Sequence, residues 1–343
     1  MNSPDPLKQI LTEARPHWDW DNTRPAVREA FTRALQCRTA ELGAEVYGSE
    51  NGEKIFYHSC KARPSSSCGH RATEQWRRER LASLPDMPYK GVTFTMPDVL
   101  WPVFRDNPSL LKALPALAAT VMKTRMTARY DLRVGVIAIL HTFNGQLNHA
   151  LVTGGGLNRS SDKWVSRVYI DQDRLMGSWR KAVIALLRSA LRAGQLQTQL
   201  SADQVEEMLG LQENRWWSTK IQSFASKEGF LKYAGRYLRR PPIAQRRIAY
   251  VGNGVVRFWF EDKRQDKRVA LECPIEEFVD RWAQHIPERY RHAVRSFGLF
   301  APWTVSQTSA AIFALLGQEQ IPRPKPVRWA DSVKRDFGRD SPP

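Results

Sequence analysis

Apolar residues recur at helical spacing, or alternate with polar ones, along most of this chain. Val27, Ala30, Phe31, Ala34 and Leu35 fall three and four apart behind Pro25. That spacing predicts a helix over 25–35 with proline in its first turn. Residues 1–24 are polar and proline-containing and read as an arm, and 71–84 reads as a charged helix. Residues 91–96 alternate and predict a strand; 110–126 predicts a helix interrupted at Pro115. The strongest strand covers 133–143. Asn144-Gly145 after it is a hairpin signal, with a partner strand over 146–153. Residues 164–170 read as a further strand, 175–194 as a basic amphipathic helix and 202–209 as another helix. Three strands over 247–251, 255–260 and 268–272 precede a helix over 274–286, whose Pro-Ile-Glu-Glu start suits the positive end of a helix dipole. Residues 318–343 are basic and proline-rich and read as an extended tail.

These elements predict an α/β (α+β) protein with a central antiparallel sheet and flanking helices. The expected segments are 1–84, a small N-terminal module; 85–245, the sheet domain; and 246–343, a mixed strand and helix region with a basic tail.

Composition narrows the partners. The 343 residues carry 52 Lys+Arg against 35 Asp+Glu, a net charge of +17. Such an excess attracts polyanions, nucleic acid first and an anionic membrane second. No apolar run approaches the ~20 residues of a membrane span, and the first nine residues lack a signal-peptide core. The expectation is therefore a cytoplasmic protein with no membrane partner. Four unevenly spaced cysteines suit a reducing compartment.

Two stretches hold candidate chemistry. In the first, Tyr233 and Tyr237 stand four apart on a helix that should end near Arg240, before Pro241 and Pro242. Both phenols can reach one volume. Phe230 lies three residues before Tyr233, so a packed aromatic stripe is the alternative. Lys232, Arg236, Arg239 and Arg240 surround the pair and are candidate DNA contacts. The second stretch is turn-rich and poor in core residues, a kind of region that usually needs a staple. It offers His58, Cys60, Cys68 and His70, two thiolates and two imidazoles that suit a tetrahedral zinc ion. The alternative is two free thiols in a basic loop.

A family likeness then enters through ordered short motifs. They are Cys37-Arg38-Thr39-Ala40-Glu41-Leu42-Gly43, His58-Ser59-Cys60-Lys61, Thr93-Phe94-Thr95-Met96-Pro97-Asp98, His141-Thr142-Phe143, Gly155-Gly156-Leu157, Tyr233 with Tyr237, and Arg240-Pro241-Pro242-Ile243. Together, over about residues 25–340, the chain resembles the two-tyrosine rolling-circle transposases of the HUH endonuclease superfamily that carry an N-terminal zinc-binding domain. The resemblance implies an HUH-type nuclease core behind a zinc-ribbon-like module. It implies single-stranded DNA at insertion-sequence ends as partner, and nicking and rejoining through a 5′-phosphotyrosine. Tyr233 and Tyr237 would be the nucleophiles, aided by Mg²⁺ or Mn²⁺ on a histidine pair.

The chain departs from that pattern at two places. His149 falls at the second histidine of the pair, but Leu147 stands at the first. His141 is the substitute, and hairpin register decides its role. A two-residue loop pairs His141 with Asn148 and turns His149 to the other face. A three-residue loop sets His141 opposite His149. In the zinc region, cysteines expected near Ser49 and at Ser65 are serines. The alternative function is a DNA-binding remnant impaired in cleavage.

Overall fold

The computed structural model describes residues 5–49, 52–141, 147–238, 241–262, 266–286 and 294–322. In chain order the elements begin with α1 (Pro6–Ala14), α2 (Pro25–Gln36), β1 (Ala44–Ser49), β2 (Gly52–Tyr57), α3 (Ser66–Ser83) and β3 (Tyr89–Phe94). There follow α4 (Trp101–Asp106), α5 (Pro108–Tyr130), β4 (Leu132–Arg133), β5 (Gly135–His141), β6 (Leu147–Thr153), β7 (Gly155–Asn158), β8 (Trp164–Ser166), α6 (Gln172–Arg192) and α7 (Ala202–Gln212). Last come β9 (Thr219–Phe224), α8 (Lys227–Leu238), β10 (Ile248–Gly252), β11 (Val255–Asp262), β12 (Lys267–Pro274), α9 (Ile275–Gln284), β13 (Val294–Gly298) and α10 (Pro302–Leu315).

The chain forms two compact units. One comprises residues 1–80, 234–289 and 323–343; the other 81–233 and 290–322. The divisions fall inside α3 and inside α8, the latter between Tyr233 and Ala234. Residues 1–80 and the strands β10, β11 and β12, expected in separate segments, belong to the same unit, while β13 belongs to the other.

In the second unit the strands run β13-β5-β6-β3-β9, antiparallel throughout. One face carries Val92, Phe94, Val136, Ala150 and Val152, which join the main core with α5 and α6. Alternation puts Tyr89, Gly91, Thr93, Leu151 and His149 on the opposite face. α5 continues through Pro115, where an interruption was expected, with Leu114, Pro115 and Ala118 buried. Burial of that apolar stripe outweighs the missing proline N–H.

The first unit packs α1, α2 and α9 on one face of the β10-β11-β12 sheet through Leu7, Ile10, Val27, Phe31, Val256 and Trp282. Residues 6–14, read as part of an arm, are a helix. Asp5 caps it by accepting from the Leu7 N–H at 3.1 Å, and Leu7, Ile10, Leu11 and Ala14 are buried. These four positions stand three and four apart, a helical period as clear as that of residues 25–35. The strand expected over 164–170 extends only over Trp164–Ser166.

Candidate active site and thiol cluster

The site on the sheet starts from strand register. Ile139 lies opposite His149, and His141 opposite Leu147. Neither expected register holds, because the connection spans five residues, 142–146. The parity of this register still places position 141 on the face of His149, one diagonal step away. The Asn144-Gly145 turn lies outside the described residues, as does the side chain of His141.

His149 is 7% exposed. Its Nδ1 is 3.2 Å from the Thr93 hydroxyl on the neighbouring strand, where the two residues are register partners. Lys220 continues the same cross-strand row beyond Thr93. Tyr233 stands over this face from α8, with its ring centroid 6.3 Å from that of His149 and the rings edge-on at 70°. Phe224 braces the phenol from the other side, at 5.2 Å.

α8 is held there by its first half. The Ser226 hydroxyl accepts from the Gly229 N–H at 3.3 Å, and Lys227 reaches the Leu84 carbonyl with its ammonium at 3.3 Å. Phe230 stacks on Tyr89 at 4.5 Å and meets Phe224 edge-on. Tyr89 is no rival nucleophile. Its hydroxyl donates to the Pro85 carbonyl at 2.7 Å, and burial pushes the phenol well above its ordinary pKa. Lys232 is exposed. The side chains of Arg236 and Tyr237, and Arg239 and Arg240 as a whole, lie outside the described residues.

Among the described residues no set of three metal-type donors forms around His149. What this face offers is one buried imidazole whose Nδ1 is held by a hydroxyl on the neighbouring strand.

A second cluster lies in the other unit. Cys37 at the end of α2, Cys60 after β2 and Cys68 in the first turn of α3 bring their Sγ atoms within 4.8 Å of one another. The Cys37 and Cys68 sulfurs are 3.7 Å apart. That is far longer than the ~2 Å of a disulfide. It matches the ~3.8 Å edge of a tetrahedron whose metal–sulfur bonds are ~2.3 Å, the zinc value. Bonds from Cys37 and then Cys60 hold the Cys68 thiol well below its ordinary pKa, while Cys37 is pushed up by its bonds to Cys60 and Cys68. Such a set favours a thiolate and a cation to share it.

The fit to zinc therefore rests on three thiols, one of which, Cys37, was not in the sequence-derived set. His58 and His70 are both exposed and stand outside the thiol group. The Arg38 N–H bonds to the His58 carbonyl at 2.9 Å, which brings the end of α2 to the end of β2 and delivers Cys37. Residues 66–70, read as loop, are helical. Gly69 is required there, since a Cβ would fall on the Arg63 carbonyl oxygen.

Comparison with known proteins gives a family for the regions that hold these residues. Residues 135–309 match a family profile described as "Putative transposase" of the Y2_Tnp type, and residues 7–96 match a "Transposase zinc-binding domain" of the IS91 type. The chain is 31% identical to the "Transposase for insertion sequence element IS801" of Pseudomonas savastanoi pv. phaseolicola, across 98% of this chain and 85% of that protein. It is 27% identical to "Putative transposase y4qJ" of Sinorhizobium fredii, across 92% of this chain and 85% of that one. No solved structure matches. With its sheet, tyrosine helix and cysteine cluster covered by these matches, the chain belongs to the two-tyrosine, IS91-type insertion-sequence transposases.

Proposed function

We propose that this transposase nicks and rejoins single-stranded DNA through a covalent bond to Tyr233. The observation that carries the reading is the Tyr233 phenol set over the buried, Thr93-held His149. In the first step the phenol oxygen attacks a backbone phosphorus. A tyrosine–phosphate bond forms, the bond from phosphorus to the 3′ oxygen breaks, the phenol proton leaves and the 3′ oxygen takes one up. The product is a 5′-phosphotyrosine and a free 3′-hydroxyl. One ester replaces another, so rejoining reverses the step without an external energy source.

A free phenol, with a pKa of about 10, is a weak nucleophile at neutral pH. A divalent ion such as Mg²⁺ or Mn²⁺, bound at His149 with a second donor from position 141, would neutralise the phosphate and favour the phenolate. His149 would supply a ring nitrogen, and its contact with Thr93 orients the imidazole. Lys232, Arg236, Arg239 and Arg240, close to Tyr233 in the sequence, serve as cationic contacts for the strand, and Tyr237, four residues after Tyr233, serves as the second nucleophile. The Cys37, Cys60 and Cys68 cluster holds Zn²⁺ as a folding staple. Free thiols in that number fit a reducing compartment, the cytoplasm.

Single-stranded oligonucleotides bearing element ends, incubated with the protein and Mn²⁺, should give an adduct that survives a denaturing gel. The adduct should fall in Tyr233→Phe and vanish in the double variant with Tyr237→Phe. A second reading, a DNA-binding remnant, is favoured by Leu147 opposite His141. DNA binding with no adduct under any divalent ion would establish that reading instead.

A further inference from the structure

The β10-β11-β12 sheet has two faces of different kinds. The inner one buries Val256 and sets Phe258 against Phe278 at 5.5 Å. The outer one presents Tyr250, Arg257, Trp259, Glu261, Arg268 and Glu272, all but Trp259 exposed. Solvent faces of antiparallel sheets are normally polar; this one carries two aromatic rings among guanidinium groups. Arg268 lies over the Trp259 ring at 4.0 Å and Arg247 at 5.3 Å, while Arg257 lies 5.9 Å from the Tyr250 ring.

The pairing of the charges is informative. Arg257 is spoken for by Glu272 at 2.7 Å. Arg268 lies across from Glu261, yet pairs with the indole instead. Among the described residues, no ion pair or side-chain hydrogen bond occupies Arg247 or Arg268. A guanidinium that stacks uses its π face and keeps its in-plane N–H fork free, in the geometry that takes a phosphate in two bonds. Trp259 thus holds two cations ready without neutralising either. Tyr250 is 41% exposed, and its hydroxyl receives a bond from Asn253 at 3.3 Å, which steadies the ring.

We infer that this outer face, centred on Arg247, Trp259, Arg268 and Tyr250, is a second binding surface for single-stranded DNA, on the unit other than the one that holds His149 and Tyr233. The two guanidiniums take backbone phosphates and Tyr250 takes an unstacked base on its ring. Charge complementarity selects a polyanion, and the exposed ring selects a single strand over a duplex, whose bases are already stacked. The inference rests on the reading that the chain works on single-stranded DNA.

The test measures binding of a labelled oligothymidylate strand, alone and annealed to its complement, across a salt series. The Arg247→Gln, Arg268→Gln double variant should reduce the slope of log affinity against log salt by about 1.4, at ~0.7 per phosphate released. Tyr250→Ser should weaken single-strand binding about tenfold and leave duplex binding near that of the unaltered protein. In the unaltered protein, photocrosslinking to 5-iododeoxyuridine should label Tyr250 or Trp259, which needs no variant to fold. Unchanged slope and affinity in the folded variants, or crosslinks solely outside residues 247–272, would overturn the surface. If the unaltered protein binds no single strand, the functional reading falls as well. If it still forms its tyrosine adduct while the variants bind normally, the surface alone falls.

Discussion

The Thr93 hydroxyl beside Nδ1 orients the His149 ring next to Tyr233. Thr93→Val keeps the shape and removes the bond. The rate of adduct formation should fall about 10–100-fold, the usual cost of losing an orienting partner, while Thr93→Ser should restore it. Single-turnover gels give the rate, and a valine variant at full rate would remove Thr93 from the mechanism. The thiol cluster makes a similarly sharp demand. Cys37→Ser should lower bound zinc by atomic emission and lower the unfolding temperature, whereas His58→Ala and His70→Ala should leave zinc content unchanged. Zinc lost in either histidine variant would show that an imidazole completes the site. Tyr233 and Tyr237 stood out as candidates in the sequence because a helix puts residues four apart on one face. Cys37 was not legible as a ligand. It lies 23 positions before Cys60, and it enters the cluster through the backbone bond from Arg38 to His58.

At the scale of elements, α8 does its work through aromatic packing. Phe230 packs against Tyr89 and Phe224, three residues before Tyr233, so the core stripe expected as the alternative is present, one turn before the residue proposed as the nucleophile. Phe230→Ala should destabilise the sheet-bearing unit by about 3–5 kcal/mol, as buried aromatic truncations do, and should slow adduct formation even below the melting temperature. Denaturant melts and the gel assay separate the two effects. Gly69 plays a comparable part in α3: Gly69→Ala would force backbone away from the Arg63 carbonyl and disturb the helix turn bearing Cys68. Expected signs are lower zinc stoichiometry and a lower first unfolding transition. Hairpin register was the element-level feature that sequence could not settle. Asn144-Gly145 favours short turns, but pairing along the apolar lengths of β5 and β6 moved the register so that His141 meets Leu147.

At the scale of the molecule, each unit has its own apolar core, and the thiols lie in one of them. A strong zinc chelator should therefore lower the calorimetric transition of the unit comprising 1–80 and 234–289 and leave that of the sheet unit in place. A single transition moving as a whole would mean that the two unfold together. What the sequence indicated by itself was a polyanion partner from +17, an antiparallel sheet from its strand patterns, and Tyr233 and Tyr237 as candidates sharing one helix face. These follow from local periodicity and from charge summed along the chain, which need no knowledge of what packs where. Only tertiary structure decided which residues meet. It brought Cys37 to Cys60 and Cys68, left His58 and His70 outside that group, and placed Thr93 on His149 and Tyr233 above it. It also joined residues 1–80 to the strands β10, β11 and β12 in one unit. The reason is that register, cross-strand neighbours and ligand sets depend on contacts between segments far apart in the chain, and these are set by burial and pairing rather than by any local pattern.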